Sequence, residues 1–471
     1  MPGNAFAYLM LSAWPVVVFV MFRRMPVERA LIWSILGGYL FLPPLVAFDI
    51  PVLPSLDKHA IPALSACLCL LALGRRIRPL PATMLGKLLV LTFVLSPIGT
   101  VLTNREPIIF ATGGLLPGLS SRDILSSAAY QFLALLPLLL GREVLATPNA
   151  HRELVRALVI AGLIYSIPML YEMRMSPQLN TKIYGFFQHG FAQTVRFGGF
   201  RPVVFLQHGL WVAFFTVTAL AAAGAALRFA EPRRRARYLA ATLYLAVILI
   251  FCRSLGPLVL AAALLPLVLF ARTRTQLRVA AILAVVVIAY PILRGADLVP
   301  VQAMLEQAER IDHERMQSLQ FRFDNEQALL RRAGEKPIFG WGGWDRSAIH
   351  DYETGRNIST MDGRWIIVLG LGGWMAYIAE FVLLALPVIM LWRQSRSLSD
   401  EGASPYLGAL ALMLAFNMLD LIPNATLIPF TWLLCGSMLG YAEKLAEVRR
   451  MRSTAARGRI RLIRGHAVGQ G

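Results

Sequence analysis

Apolar residues along this chain are gathered into blocks close to the roughly 20 residues that a helix needs to cross a bilayer. Thirteen blocks can be drawn, at about 5–22, 30–48, 60–74, 83–102, 124–141, 154–171, 203–227, 238–252, 255–271, 277–293, 363–391, 406–421 and 424–441. Their length exceeds that of ordinary core helices and predicts an all-α polytopic membrane bundle of about 12–13 transmembrane helices. The pattern is interrupted once, from Arg294 to Asp362, a stretch that holds twelve of the chain's 27 carboxylates. There Met304, Leu305, Ile311, Met316, Leu319, Phe323 and Leu330 recur at mixed three- and four-residue spacing. That spacing predicts helices lying against the bundle until Gly334 stops them. The chain therefore divides into an N-terminal bundle of about ten spans at 1–293, a long extramembrane loop at 294–362, C-terminal spans at 363–441 and a basic tail at 442–471.

Composition agrees with the pattern. Hydrophobic residues make up 57% of the 471 and charged residues 15%, against about 45–50% and about 25% in soluble globular domains. A cytosolic enzyme, a disulfide-rich secreted domain and a disordered chain are excluded. The net charge of +19 does not indicate nucleic acid, because such binders gather cations on one accessible face and here they punctuate the apolar blocks. Cys67, Cys69, Cys252 and Cys435 lie in or beside apolar runs, where cysteine acts as a small hydrophobe.

Cytoplasmic connections are enriched in Lys and Arg, and this turns the charge into topology. Arg23-Arg24, Arg75-Arg76-Arg78, Arg142/Arg152/Arg156, Arg233-Arg234-Arg235-Arg237, Arg272/Arg274/Arg278 and Arg393/Arg396 fall at every second connection. Those connections are expected inside, with the arginine-rich stretch from Arg449 to Arg464 anchored near anionic lipid. An odd number of spans then leaves the uncharged N-terminus outside. The first block is expected to remain as a span, since its arginines follow it, whereas in a signal peptide they precede the apolar stretch.

Among the arginines on the other side, four stand out. Arg196-Phe197-Gly198-Gly199-Phe200-Arg201-Pro202 leads to Gln207-His208-Gly209 at the mouth of one block, Cys252-Arg253-Ser254 is a tight connection, and Arg322 lies in the long loop. An arginine at the hydrocarbon centre costs about 2.5–3.5 kcal/mol, and guanidinium groups make bidentate hydrogen bonds to phosphate. Arg196, Arg201, Arg253 and Arg322 therefore predict an outward-facing anion site. The alternative for each is a snorkelling side chain or a partner for a loop carboxylate. Gly340 and Gly342, in the turn-rich stretch Lys336 to Trp344, can bring backbone amides close to a ligand. Trp341, Trp344 and Trp365 offer aromatic surface for a sugar or an interface anchor.

Asp362 opens the eleventh block and is a candidate base or helix N-cap, with His208 and His350 in reserve. Glu380 lies inside an apolar block, where an ionisable group is functional or paired, and Asp420 precedes a turn at Leu421-Ile422-Pro423. A nucleotide loop, a zinc-binding helix and a nucleophile elbow are missing from the sequence. Neither cofactor nor metal is implied.

These residues resemble the O-antigen ligase and repeat-unit polymerase superfamily of bacterial surface polysaccharide assembly, whose members carry a long periplasmic loop before three final spans. The resemblance rests on Arg322 followed by Pro337-Ile338-Phe339-Gly340-Trp341-Gly342, then Asp362-Gly363-Arg364-Trp365 and Gly370-Leu371-Gly372-Gly373. The Arg196–Arg201 loop and the Arg253-Ser254 turn are similar to the family's further basic elements. Ligases that act on the lipid A core usually carry a His where this chain has Asp362, which moves the expectation toward the polymerases.

The resemblance implies a multi-pass protein of the bacterial inner membrane with its long loop periplasmic and its C-terminus cytoplasmic. It implies metal-independent glycosyl transfer from an undecaprenyl-pyrophosphate-linked oligosaccharide to a hydroxyl of an acceptor glycan, most simply to polymerise exopolysaccharide or O-antigen repeat units. An O-antigen or protein O-glycan ligase is the alternative, and a transporter or flippase of lipid-linked glycans is the rival from another class. In the implied chemistry Arg322 and Arg201 stabilise the leaving pyrophosphate and Asp362 takes the acceptor proton. Arg196, Arg253, His208, Gly340, Gly342 and His350 bind pyrophosphate or glycan. The implied partners are donor, acceptor, bilayer and other polysaccharide-assembly proteins, not nucleic acid.

Overall fold

The structure, a computed structural model, describes residues 3–49, 54–196, 198–311, 313–395 and 403–468. Phe197 and Arg396, both named above, lie outside them. Six helices come first: α1 (Ala5–Arg24), α2 (Val27–Phe41), α3 (Ala60–Ala72), α4 (Met84–Leu102), α5 (Ser121–Val144) and α6 (Pro148–Met175). The short α7 (Leu179–Tyr184) precedes α8 (Gly209–Arg228), α9 (Pro232–Phe251), α10 (Leu255–Phe270) and α11 (Thr273–Gly295). The long polar stretch folds as α12 (Val301–Ile311) and α13 (His313–Gly334), and α14 (Arg364–Gln394), α15 (Leu407–Asp420) and α16 (Pro429–Val468) follow. The described strands are three short antiparallel pairs in connections.

Every apolar block carries a helix. Among the described residues α1, α4, α5, α6, α8, α11 and α14 are long and apolar enough to cross a membrane, while α3, α10 and α15 are apolar but shorter. The chain is an all-α membrane protein. Large apolar side chains such as Leu9, Val16, Ile167, Val259 and Ile282 are exposed on its surface, which suits a solvent of hydrocarbon and not of water. Helix starts follow local chemistry: Asn4, Thr83 and Thr147 each accept a backbone N–H of the first turn, and Ser120 with Asp123 forms a capping box for α5.

Bonds between connections fall at two ends of the bundle. At one, Arg29 pairs with Glu153 at 2.9 Å, Arg78 with Glu143 at 3.0 Å and Arg142 with Glu443 at 2.7 Å. At the other, Lys58 donates to Leu42 O and Phe205 O, Arg346 to Glu106 O and Pro117 O, and Arg253 to Arg196 O. Clusters of basic residues at alternate connections thus become one end, and the long loop meets the unexpected arginines at the other.

The block at 363–391 is not a single straight helix. Gly373 has φ +63° and ψ −164° and breaks α14 in two. The turn Pro337–Gly342 fits into the break. Trp374 and Met375 N–H donate to Pro337 O and Ile338 O at 2.8 and 3.2 Å, and Trp341 and Gly342 N–H donate to Gly370 O and Leu371 O at 2.8 and 2.9 Å. One turn therefore satisfies the polar groups that the break leaves on both halves. Gly340, at φ +66°, comes so close that a Cβ there would lie 2.6 Å from the amide nitrogens of Gly372 and Gly373. Across the bend, Arg364 Nε and Nη2 hold both carboxylate oxygens of Glu380 at 2.7 and 2.6 Å. Residues sixteen apart would be about 24 Å apart on a straight helix, so this pair exists because the chain turns back.

Candidate functional site

The glycine pair in the loop before α8 lets a hairpin close: Gly198 takes φ +67°, and Val195–Arg196 pairs with Gly199–Phe200. Arg201 follows, with its N–H donating to Thr194 O at 2.7 Å. Its stem crosses Gly209, where an added Cβ would collide with Arg201 Cδ. The residue is 8% exposed, and its buried Nε meets no acceptor. Burial first, then the charges of Arg196 and Arg322, push the guanidinium down to about 10. A buried donor without a partner is costly, and an incoming anion would supply one.

Arg253 reaches the same hairpin from the turn after α9. Its Nη1 donates to Arg196 O at 3.1 Å, and its guanidinium occupies the space that a Cβ on Gly199 would need. Arg322 comes from α13, and its Nε is 3.5 Å from Asp362 Oδ2. Asp362 does not cap α14; the N-cap is Gly363, with no side-chain bond. The carboxylate belongs to the arginine group instead.

His208 caps α8. Its Nδ1 accepts from Leu210 N–H at 2.9 Å, so the neutral ring carries its proton on Nε2. Burial, then the fields of His189, Arg201, Arg322 and Arg196, push the imidazole down to about 3. His208 is therefore a neutral donor near neutral pH, with neither ring nitrogen available as a base, and its reserve role as base is withdrawn.

The loop from Val203 to Leu206 is clamped from beneath by side chains that sequence reasoning missed. The Glu172 carboxylate of α6 accepts from Leu179, Val203 and Val204 N–H at 3.0, 2.8 and 2.7 Å. Gln188 Nε2 donates to Val204 O and Leu206 O, and Lys58 Nζ donates to Phe205 O at 2.8 Å. Tyr165 OH accepts from Phe205 N–H. Val204 sits at φ +52°, rare for a β-branched residue, and this clamp holds it there. An acidic residue directly at the end of the apolar block 154–171 was the available signal for Glu172.

Glu326 lies one turn beyond Arg322 on α13. Tyr290 OH donates to its Oε2 at 3.3 Å and Arg294 Nε is 3.8 Å away. Burial raises its carboxyl to about 7, with Arg294 and Tyr290 pulling the other way.

Other expected residues are placed elsewhere. Gly340 and Gly342 approach backbone and apolar groups of α14, α4 and Leu119, not an open cleft. His350 Nε2 bonds Asp345 Oδ2 at 3.2 Å and its ring packs on Phe110. Trp341 is covered by Arg332, 3.4 Å from its ring centroid, and by Lys336. Trp365 is buried, whereas Trp344 is 66% exposed and donates to Asp123. Asp420 accepts from Asn424 and Thr426, the turn-forming role expected of it.

Compared with known proteins, the chain matches no family model and no curated sequence. What the geometry itself offers is a group of arginines with one half-exposed carboxylate, a neutral imidazole donor and a buried guanidinium nitrogen awaiting an acceptor. That set can bind a diphosphate, and the carboxylate can take a proton beside it.

Proposed function

We propose that the chain is a glycosyltransferase of the bacterial inner membrane that moves a glycan from an undecaprenyl-pyrophosphate-linked donor to an acceptor sugar hydroxyl. The carrying observation is the gathering of Arg196, Arg201, Arg253 and Arg322 around the hairpin before α8, with Arg201 Nε buried and without an acceptor. The resemblance to O-antigen polymerases and ligases, stated above for Arg322 and the Pro337–Gly342 motif, supports the same reading.

In this mechanism the acceptor oxygen attacks the anomeric carbon, and its proton passes to the Asp362 carboxylate. The bond from that carbon to the pyrophosphate oxygen breaks, leaving its electron pair on undecaprenyl pyrophosphate. Arg201 and Arg322 stabilise that charge as it develops, which is worth most when donors are already in place. Arg196 and Arg253 hold the diphosphate. The end bearing the long loop faces the periplasm and the basic end the cytoplasm, the orientation that the arginine asymmetry favours.

Polymerisation of repeat units is favoured over ligation to lipid A by Asp362 at the position where such ligases usually carry His. Transport is disfavoured because the arginines collect where the hairpin before α8 meets the loop helix α13. The test is consumption of lipid-linked donor in reconstituted vesicles, with product analysis after gene deletion. Accumulated single lipid-linked repeat units support a polymerase, long unattached chains a ligase, and unchanged lipid-linked pools remove the proposal.

A further inference from the structure

The short 3-10 helix Phe191–Thr194 carries Gln193, a polar side chain that the diphosphate chemistry leaves unused. Gln193 Oε1 faces two imidazoles, His189 Nε2 at 2.8 Å and His208 Nε2 at 3.4 Å, whose rings meet edge to face with centroids 4.4 Å apart. Because Leu210 N–H occupies His208 Nδ1, His208 is the donor in its contact with Gln193. The same oxygen can accept from His189 Nε2, which leaves the other nitrogen of that ring, Nδ1, for a ligand. With Oε1 turned to the rings, the Gln193 amide nitrogen is directed away from them as a donor. The three side chains thus bring ring and amide hydrogen-bonding groups together.

Aromatic surface adjoins this set. Phe191 is 49% exposed, its ring centroid lies 5.8 Å from that of Phe187 and 6.4 Å from that of Phe200, and Phe200 belongs to the hairpin that carries Arg196. Thr194, at the end of the same helix, accepts the Arg201 N–H. The set is therefore continuous with the arginines.

An anion alone selects cations and donors. A pyranose presents hydroxyls that both donate and accept, and a C–H face that packs on an aromatic ring. We propose that His189, Gln193, His208 and Phe191 form a sugar-binding platform for the pyranose attached directly to the donor phosphate, so that the site reads the first sugar and not only the diphosphate. This rests on the assignment of the arginine cluster as the diphosphate site.

The test uses the full chain purified in detergent, with binding of inorganic phosphate, inorganic pyrophosphate and a panel of hexose and N-acetylhexosamine 1-phosphates measured by titration calorimetry. At least one sugar 1-phosphate binds about tenfold more tightly than inorganic phosphate. Gln193→Ala and Phe191→Ala each remove that advantage and leave pyrophosphate affinity as it was, while Arg201→Ala weakens every ligand. If no sugar 1-phosphate outbinds phosphate, or if Gln193→Ala and Phe191→Ala weaken pyrophosphate as much as the sugar phosphates, the platform is overturned and the arginine site stands. If pyrophosphate does not bind the unmodified chain, the arginine site fails and the platform with it.

Discussion

Arg322 and Asp362 join the long loop to the start of α14: the guanidinium Nε and carboxylate Oδ2 lie 3.5 Å apart, with side chains 39% and 40% exposed. A pair this open contributes little to stability and is accessible to a ligand, so its consequence belongs to binding and chemistry.

Arg322→Ala is expected to lower donor turnover by about 10²–10³-fold, the usual effect of removing one preorganised donor. Arg322→Lys recovers only part of it, because an ammonium lacks the planar fork. Asp362→Asn removes the proton acceptor and lowers kcat by about 10²–10⁴-fold. Turnover in vesicles, normalised to protein amount, measures all three; near-normal rates for Arg322→Ala and Asp362→Asn would falsify the mechanism.

Glu326 gives stability a pH dependence. Its carboxyl titrates at 4.5 when unperturbed and at about 7 in the folded chain, burial being the main cause, while Arg294, Tyr290, Trp365 and Arg322 oppose the rise. Between those values the folded chain holds a proton that the unfolded chain has released. The contribution is complete below 4.5 and is lost as pH rises toward 7. Thermal unfolding across that window should show a falling Tm that Glu326→Gln flattens, and identical slopes in both proteins would rule the account out.

Glu380 is 1% exposed beneath Arg364, and removing one partner of a buried ion pair costs about 3–5 kcal/mol. Glu380→Gln or Arg364→Met alone should lower Tm and membrane yield sharply, and the double variant should be more stable than the sum of the two losses. Strict additivity would mean that the side chains are not coupled.

Gly340→Ala and Gly373→Ala place a methyl group against backbone at the break, both at positive φ, and each should destabilise by at least about 1–3 kcal/mol. Gly343, where an added Cβ meets nothing within 4 Å, serves as the control. Equal Tm for Gly340→Ala and Gly343→Ala would show that the turn does not fill the break.

The helical blocks, the helices of the polar gap and the separation of basic connections were legible because each is written in local hydrophobicity or charge. The arginine cluster was legible in part, since cations on the unexpected side are visible as exceptions. Its support was not. Glu172 acts on Val203 and Val204 across 31 and 32 positions, and Lys58 acts on Phe205 across 147; no local pattern encodes those partners. Gly340 was expected to admit a ligand to the backbone, and it does permit close approach, but the visitor is α14. In the block at 363–391, hydropathy is blind to a break at Gly373, because a broken helix is as apolar as a straight one. Gln193 drew no notice because a lone glutamine in a loop becomes informative only when two imidazoles are brought to it.

The turn at Pro337–Gly342 is synthesised before the break that it fills. Unbroken, the 31 residues of α14 would extend about 46 Å, well beyond the roughly 30 Å of hydrocarbon in a bilayer. Broken but without the turn, Gly370 O, Leu371 O, Trp374 N–H and Met375 N–H lose the partners that they have here, at several kcal/mol for each group left unpaired in lipid. Maturation of this span therefore waits on a segment that a topology diagram draws outside it. The long loop cannot be trimmed or exchanged as an appendage, because its turn is the keystone on which the helix closes.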